Sequence, residues 1–128
     1  GLTASSVYER IKKLENKGVI KKYVVIVDPA AVGKPITAFI RLTVGATIGG
    51  DYVDTKKQLI DLCQAESAIV ECHTVAGEDC YVLKARVGSP QSLESLLERI
   101  RSQVLVTRTT SNIVLSTFKE ETKVSFTE

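Results

Sequence analysis

From Ile36 to Val44 the chain alternates without a break. Ile36, Ala38, Ile40, Leu42 and Val44 fall on one side, and Thr37, Phe39, Arg41 and Thr43 on the other. Successive strand residues point to opposite faces, so this run predicts a strand with one fully apolar face that a second layer must cover. Residues 51–65 supply a candidate layer, a helix with Val53, Leu59, Ile60, Leu62 and Cys63 on its apolar side. Residues 68–75 and 80–87 read as two strands around Gly77-Glu78, with glycine where a type II′ hairpin turn wants it. That register sets Glu71 opposite Lys84 and Cys72 opposite Leu83, and the opposite charges support it. Ser89 and Pro90 cap and open a second helix with the stripe Leu93, Leu96, Leu97 and Ile100. A last strand covers about 104–117, with Thr107, Thr109 and Ser111 on one face and Val106, Arg108 and Thr110 on the other.

The order over residues 36–118 is therefore β-α-β-β-α-β. Two right-handed crossovers in one sheet predict an α+β, ferredoxin-like sandwich with both helices on one face. The covered face takes Ile40, Leu42, Val70, Cys72, Leu83 and Ala85. The other carries Phe39, Arg41, Glu71, His73, Val82, Lys84 and Arg86. This open face is too apolar for water and too charged for a core, which predicts a homodimer.

Ahead of the sandwich the charge changes. Residues 1–23 hold six basic and two acidic side chains, a balance of +4, against −2 for the remaining 11 basic and 13 acidic. Thr3 is a candidate N-cap, Val7, Ile11 and Leu14 form an apolar stripe, and Gly18 stands where a helix stops. A basic helix that opens on the short side chains Ala4, Ser5 and Ser6 can approach a polyanion closely. A solvated charged face is the other reading. Tyr23–Val27 is a short β-branched run and predicts a linking strand, and Asp28-Pro29, Gly33 and Pro35 punctuate a connector. The expected organisation is 1–22 basic helix, 23–35 linking strand and connector, 36–118 sandwich, and 119–128 a loose polar tail.

Other classes find little support. The longest aliphatic run is Val24–Val27, far short of the roughly 20 residues that span a membrane. No apolar stretch opens the chain as a signal peptide would, and three cysteines without a Cys-x-x-Cys pair suit a reducing cytoplasm. His73 is the one histidine, and its neighbour Cys72 faces the opposite side of a strand, so no Cys-His pair or metal site is expected. Gly45, Gly49 and Gly50 have no phosphate-loop lysine and read as a flexible loop. Cys63 and Cys72 read as buried small hydrophobes, and Cys80 as structural or pocket-lining. No enzyme, metal or cofactor is expected.

The motifs together resemble a known family. Leu2–Val7 and Arg10–Glu15 with Gly18-Val19-Ile20 look like the end of a helix-turn-helix, and Asp28-Pro29 with Val32-Gly33 looks like a linker. Val70–His73, Ala76-Gly77-Glu78, Tyr81–Lys84, Thr107-Arg108-Thr109 and Ile113-Val114-Leu115 resemble an effector domain. In order and spacing they are similar to the Lrp/AsnC, or feast/famine, transcription regulators over nearly the whole chain. The resemblance implies a recognition helix from Thr3 to Lys17, the last helix of a winged helix-turn-helix. Ala4, Ser5, Tyr8 and Glu9 would approach bases, and Arg10, Lys12, Lys13, Lys21 and Lys22 would hold phosphates. It also implies dimers assembling into tetramers or octamers, with an amino-acid effector bound between dimers. By position the effector residues are Val75, Ala76, Gly77, Glu78, Asp79, Cys80 and Tyr81, with Thr107, Thr109 and Ser111. Backbone N–H groups beside Gly77 suit a carboxylate, and Glu78 or Asp79 an ammonium. There are two departures. Helices before the recognition helix are absent from this stretch, so weak or no DNA binding by the 128 residues alone is expected, and Cys80 stands where the family often has Asp. A stand-alone amino-acid-binding or assembly module is the alternative.

Overall fold

The computed structural model describes residues 3–45, 52–77 and 81–125. Helix α1 spans Ala4–Asn16; Thr3 caps it, its hydroxyl accepting from the Ser6 N–H at 3.2 Å. Lys17 is the C-cap and Gly18 follows at φ 76°, a left-handed conformation that glycine adopts without strain. Asp28 caps a short 3-10 turn, Pro29–Val32, that leads to the sandwich.

The sandwich consists of β1 (Ile36–Val44), α2 (Tyr52–Ala65), β2 (Ile69–Thr74), β3 (Tyr81–Val87), α3 (Pro90–Gln103) and β4 (Val106–Ile113). The sheet order is β2-β3-β1-β4 with every pair antiparallel, the arrangement that two crossovers around a central hairpin produce. Alternation in β1 is carried through: Ala38, Ile40, Leu42 and Val44 are buried, joined by Leu83 and Ala85 of β3, Leu59 and Leu62 of α2, and Leu93, Leu96 and Ile100 of α3. Ser89 caps α3 and Pro90 occupies its first turn, as expected. Buried Thr55 fastens α2 to the end of β1, its hydroxyl donating to the Gly45 carbonyl at 2.8 Å. Gly88 is a close approach: a Cβ there would sit 3.0 Å from the Gly33 carbonyl oxygen.

The hairpin register is the expected one. Glu71 faces Lys84, Cys72 faces Leu83, and the ladder runs to Thr74 and Tyr81. It stops there, so Val75–Gly77 belong to the connection and not to a strand. The type II′ turn expected at Gly77-Glu78 runs into 78–80, outside the described residues.

Four details correct the sequence reading. Tyr23–Val27 forms no strand; the segment is exposed, with no sheet neighbour among the described residues. The last strand is shorter than 104–117. A register shift between Ile69 and Glu71 turns Ile69 inward (8% exposed) and leaves Val70 46% exposed instead of on the covered face. A second shift at Thr43/Val44 pairs Val44 with Val106. Val106 therefore packs against the core and continues the row of Thr109 and Ser111, a place the alternation had given to Thr107.

Candidate functional site

Two surfaces hold the residues singled out in the sequence. The first is α1. No residue of it is buried, and Val7, Ile11 and Leu14 show their apolar stripe to solvent. Arg10, Lys12, Lys13, Lys21 and Lys22 are all exposed, as are Ala4, Ser5, Tyr8 and Glu9. Lys12 lies over the Tyr8 ring at 5.6 Å and 3.4 Å from Glu15. The Tyr23 hydroxyl donates to Glu15 Oε1 at 2.6 Å, which ties the chain after α1 back to the helix. That bond holds the Glu15 carboxyl below its usual range and raises the Tyr23 hydroxyl above its own.

The second surface is the end of the sheet where β3 begins. Tyr81 pairs with Leu42, and Leu42 pairs on its other side with Thr109. Ser111 lies one step along, opposite Ile40. The Thr107 hydroxyl donates to the Thr43 carbonyl at 3.1 Å. Val75, Ala76 and Gly77 are exposed, beyond the end of β2, with Gly77 at φ 136°. Glu78, Asp79 and Cys80 lie outside the described residues. β2 and β4 are opposite edges of the sheet. The Thr74 and Thr109 backbones are therefore separated by three strand spacings, roughly 14 Å. Among the described residues, one protomer does not bring Val75, Ala76 and Gly77 together with Thr107, Thr109 and Ser111.

The open sheet face carries an ion network. Glu71 accepts from His73 Nε2 at 2.9 Å and lies 3.5 Å from Lys84 Nζ. Glu120 returns from beyond β4 to meet Lys84 Nζ at 3.4 Å and Arg86 Nη2 at 3.3 Å. Arg86 also donates to the Thr37 hydroxyl at 2.9 Å. The His73 bond, then Lys84, lowers the Glu71 carboxyl, and Lys84 and Arg86 lower that of Glu120. Glu120 thus anchors a tail that the sequence reading left loose. A cleft of about 540 Å³ remains between the sheet and this tail, lined by Phe39, Lys84 and Phe118 among others.

Sequence reasoning missed one cluster. Cys63 of α2 and Cys72 of β2 are half-buried and interact side chain to side chain at a cavity of about 280 Å³. Hydrogen bonding from Cys63 pushes the Cys72 thiol down to about 7, against the opposing effect of burial, while the Cys63 thiol is pushed up. The signal was present: Cys63 was placed on the inner side of its helix and Cys72 on the inner row of its strand. Among the described residues no group of three or more His, Cys, Asp or Glu side chains could hold a metal ion, and no helix is long and apolar enough to cross a membrane.

Residues 37–124 match the family model of the Lrp/AsnC ligand-binding domain. The chain is 41% identical over 118 residues to the HTH-type transcriptional regulator LrpA of Mycobacterium tuberculosis, covering 92% of this chain and 74% of that protein. It is 37% identical over 124 residues to the HTH-type transcriptional regulator FL11 of Pyrococcus abyssi, covering 97% and 78%. Among solved structures, a feast or famine regulatory protein of M. tuberculosis complexed with L-methionine superposes with a TM-score of 0.80 at 36% identity, covering 97% of this chain and 80% of that one. An AsnC-family regulator of Agrobacterium tumefaciens, 21% identical, shares the fold with a TM-score of 0.86 over 98% and 79%. This chain belongs to the Lrp/AsnC family of transcription regulators.

Proposed function

We propose that this chain is the recognition helix and the effector-sensing, oligomerising domain of a sequence-specific DNA-binding regulator that responds to an amino acid in the cytoplasm. The protein acts by binding and not by catalysis. In this reading α1 enters the major groove. Ala4, Ser5, Tyr8 and Glu9 stand nearest the bases, and Arg10, Lys12, Lys13, Lys21 and Lys22 bind phosphates. Support comes from the exposure of every one of these side chains and from the charge excess of the first 23 residues.

One observation carries the sensing half. Of the residues proposed to hold the effector, Val75, Ala76 and Gly77 follow the edge strand β2, whereas Thr107, Thr109 and Ser111 lie on β4, the opposite edge of the sheet. A second copy that brings its own β4 edge to the 75–81 connection completes such a site, so the ligand binds at a contact between copies within the tetramer or octamer. The Mycobacterium tuberculosis relative solved with L-methionine supports an amino acid as the ligand class. The open sheet face, with Phe39 40% exposed beside Arg41 and Val82, is the surface proposed to pair two chains into the dimer.

Titration calorimetry against the twenty common amino acids tests this reading. At least one should bind with a heat that depends on protein concentration. Binding by none of them would remove the sensing half.

A further inference from the structure

We propose that Cys63 and Cys72 form a hydroperoxide-reactive dithiol that closes reversibly into a disulfide between α2 and β2. Three observations place the two sulfurs together. Cys72 lies on the helix-facing row of β2, directly across from buried Leu83. Both cysteines pack against the same core cluster, and both line one cavity of about 280 Å³ with Ile60, Gln64 and Ile69. Each thiol shifts the ionisation of the other, as neighbouring sulfurs do. Both are half-buried instead of sealed, so a small oxidant can reach them through that cavity.

The chemistry divides between the two. Cys72 is the sulfur that carries the negative charge, because Cys63 donates to it; its thiol is held down to about 7, near ambient pH, where attack is efficient. The Cys72 thiolate, its proton released to solvent, attacks one oxygen of the hydroperoxide. The O–O bond breaks, Cys72 becomes a sulfenic acid, and the departing oxygen anion takes up a proton. The Cys63 sulfur then bonds to the Cys72 sulfur. The S–O bond breaks, and the Cys63 proton leaves with the hydroxyl as water. Two electrons pass from the thiol pair to the peroxide, and a reducing thiol restores the starting state by exchange. The closed form tethers α2 to β2 three residues ahead of Val75.

The test uses the 128-residue chain carrying Cys80→Ser, so that only these two thiols remain. It is treated at neutral pH with one equivalent of hydrogen peroxide, alkylated, and mapped by mass spectrometry without reduction. The expected product is one chain lighter by two hydrogens with a Cys63–Cys72 cross-link, reversed by dithiothreitol. A Cys63→Ser variant should accumulate a dimedone-trappable sulfenic acid at Cys72, whereas a Cys72→Ser variant should leave Cys63 unoxidised at the same dose. Far-ultraviolet circular dichroism checks that both variants are folded. Two free thiols after peroxide, over-oxidation of each without a link, a cross-link between chains, or a sulfenic acid at Cys63 instead of Cys72 would each overturn the proposal.

Discussion

Arg99 grips Glu66 with two parallel bonds: Nε donates to Oε2 at 2.9 Å and Nη2 to Oε1 at 3.1 Å. This fork joins the outer side of α3 to the connection between α2 and β2 and closes the helical layer. Arg99 is nearly half exposed, so solvent screens the pair and only its bidentate geometry lifts it above an ordinary surface contact. Arg99→Ala should cost about 0.5–1 kcal/mol in a urea melt. The pH sign is fixed. Arg99 holds the Glu66 carboxyl below its ordinary value of 4.5, so the folded state binds fewer protons than the unfolded one in the acid range. The contribution is complete above that ordinary value and disappears as pH falls through the folded one. The gap between native and Arg99→Ala proteins should therefore narrow on acidification and stay level toward pH 7.

The shift at Ile69/Glu71 makes two neighbours unequal. Ile69 packs into the core, and Val70 is half exposed. Ile69→Ala should destabilise by about 2–4 kcal/mol, since it removes buried methyl groups and leaves a cavity. Val70→Ala should stay within about 0.5 kcal/mol. A larger loss at Val70 than at Ile69 would mean that the strand alternates regularly through this point.

Gly88 tests how the connector is seated. A Cβ at that position meets the Gly33 carbonyl oxygen at 3.0 Å, a backbone atom that cannot swing away as a side-chain tip would. Gly88→Ala should push the connector off the end of β3 and cost about 1–3 kcal/mol, the usual range for overpacking. Because Gly33 lies outside the sheet ladder, hydrogen exchange should rise around residues 28–35 while the central strands stay protected.

The sandwich was legible because its signals are local and repeated. Strict alternation from Ile36 to Val44 has only one inner face, and Ser89-Pro90 starts a helix whatever lies around it. The Glu71–Lys84 pairing was legible because one cross-strand charge pair fixes a hairpin register. What failed depended on irregular backbone or on distant partners. A single extra residue in a strand inverts the faces on one side of it, and composition leaves no mark of where it is inserted; hence Val70 and Thr107 were assigned to the wrong rows. Tyr23–Val27 has strand-forming residues, but a strand needs a neighbour, and no element of the described chain provides one. Glu120 is one acid in a polar tail, and only the folded sheet reveals that Lys84 and Arg86 wait beneath it. The effector surface was placed by family resemblance and not by pattern, because its described residues belong to separate elements, Val75, Ala76 and Gly77 after β2 and Thr107, Thr109 and Ser111 on β4, and the proposed site needs a second copy to join them.

That last property gives the sharpest test of the proposed sensor. If the 75–81 connection of one copy faces the β4 edge of another, Glu78→Ala and Thr109→Val damage opposite halves of each shared site. Each variant alone should lose amino-acid binding by calorimetry while still assembling. After unfolding and refolding as an equimolar mixture, random pairing should return about a quarter of the sites with both halves intact. The mixture should then bind the effector at about a quarter of the native stoichiometry and at native affinity. A site contained within one protomer cannot be rescued in this way, because every chain in the mixture carries one lesion. Continued silence from a mixture that has demonstrably reassembled would therefore place the effector inside a single chain and detach sensing from assembly.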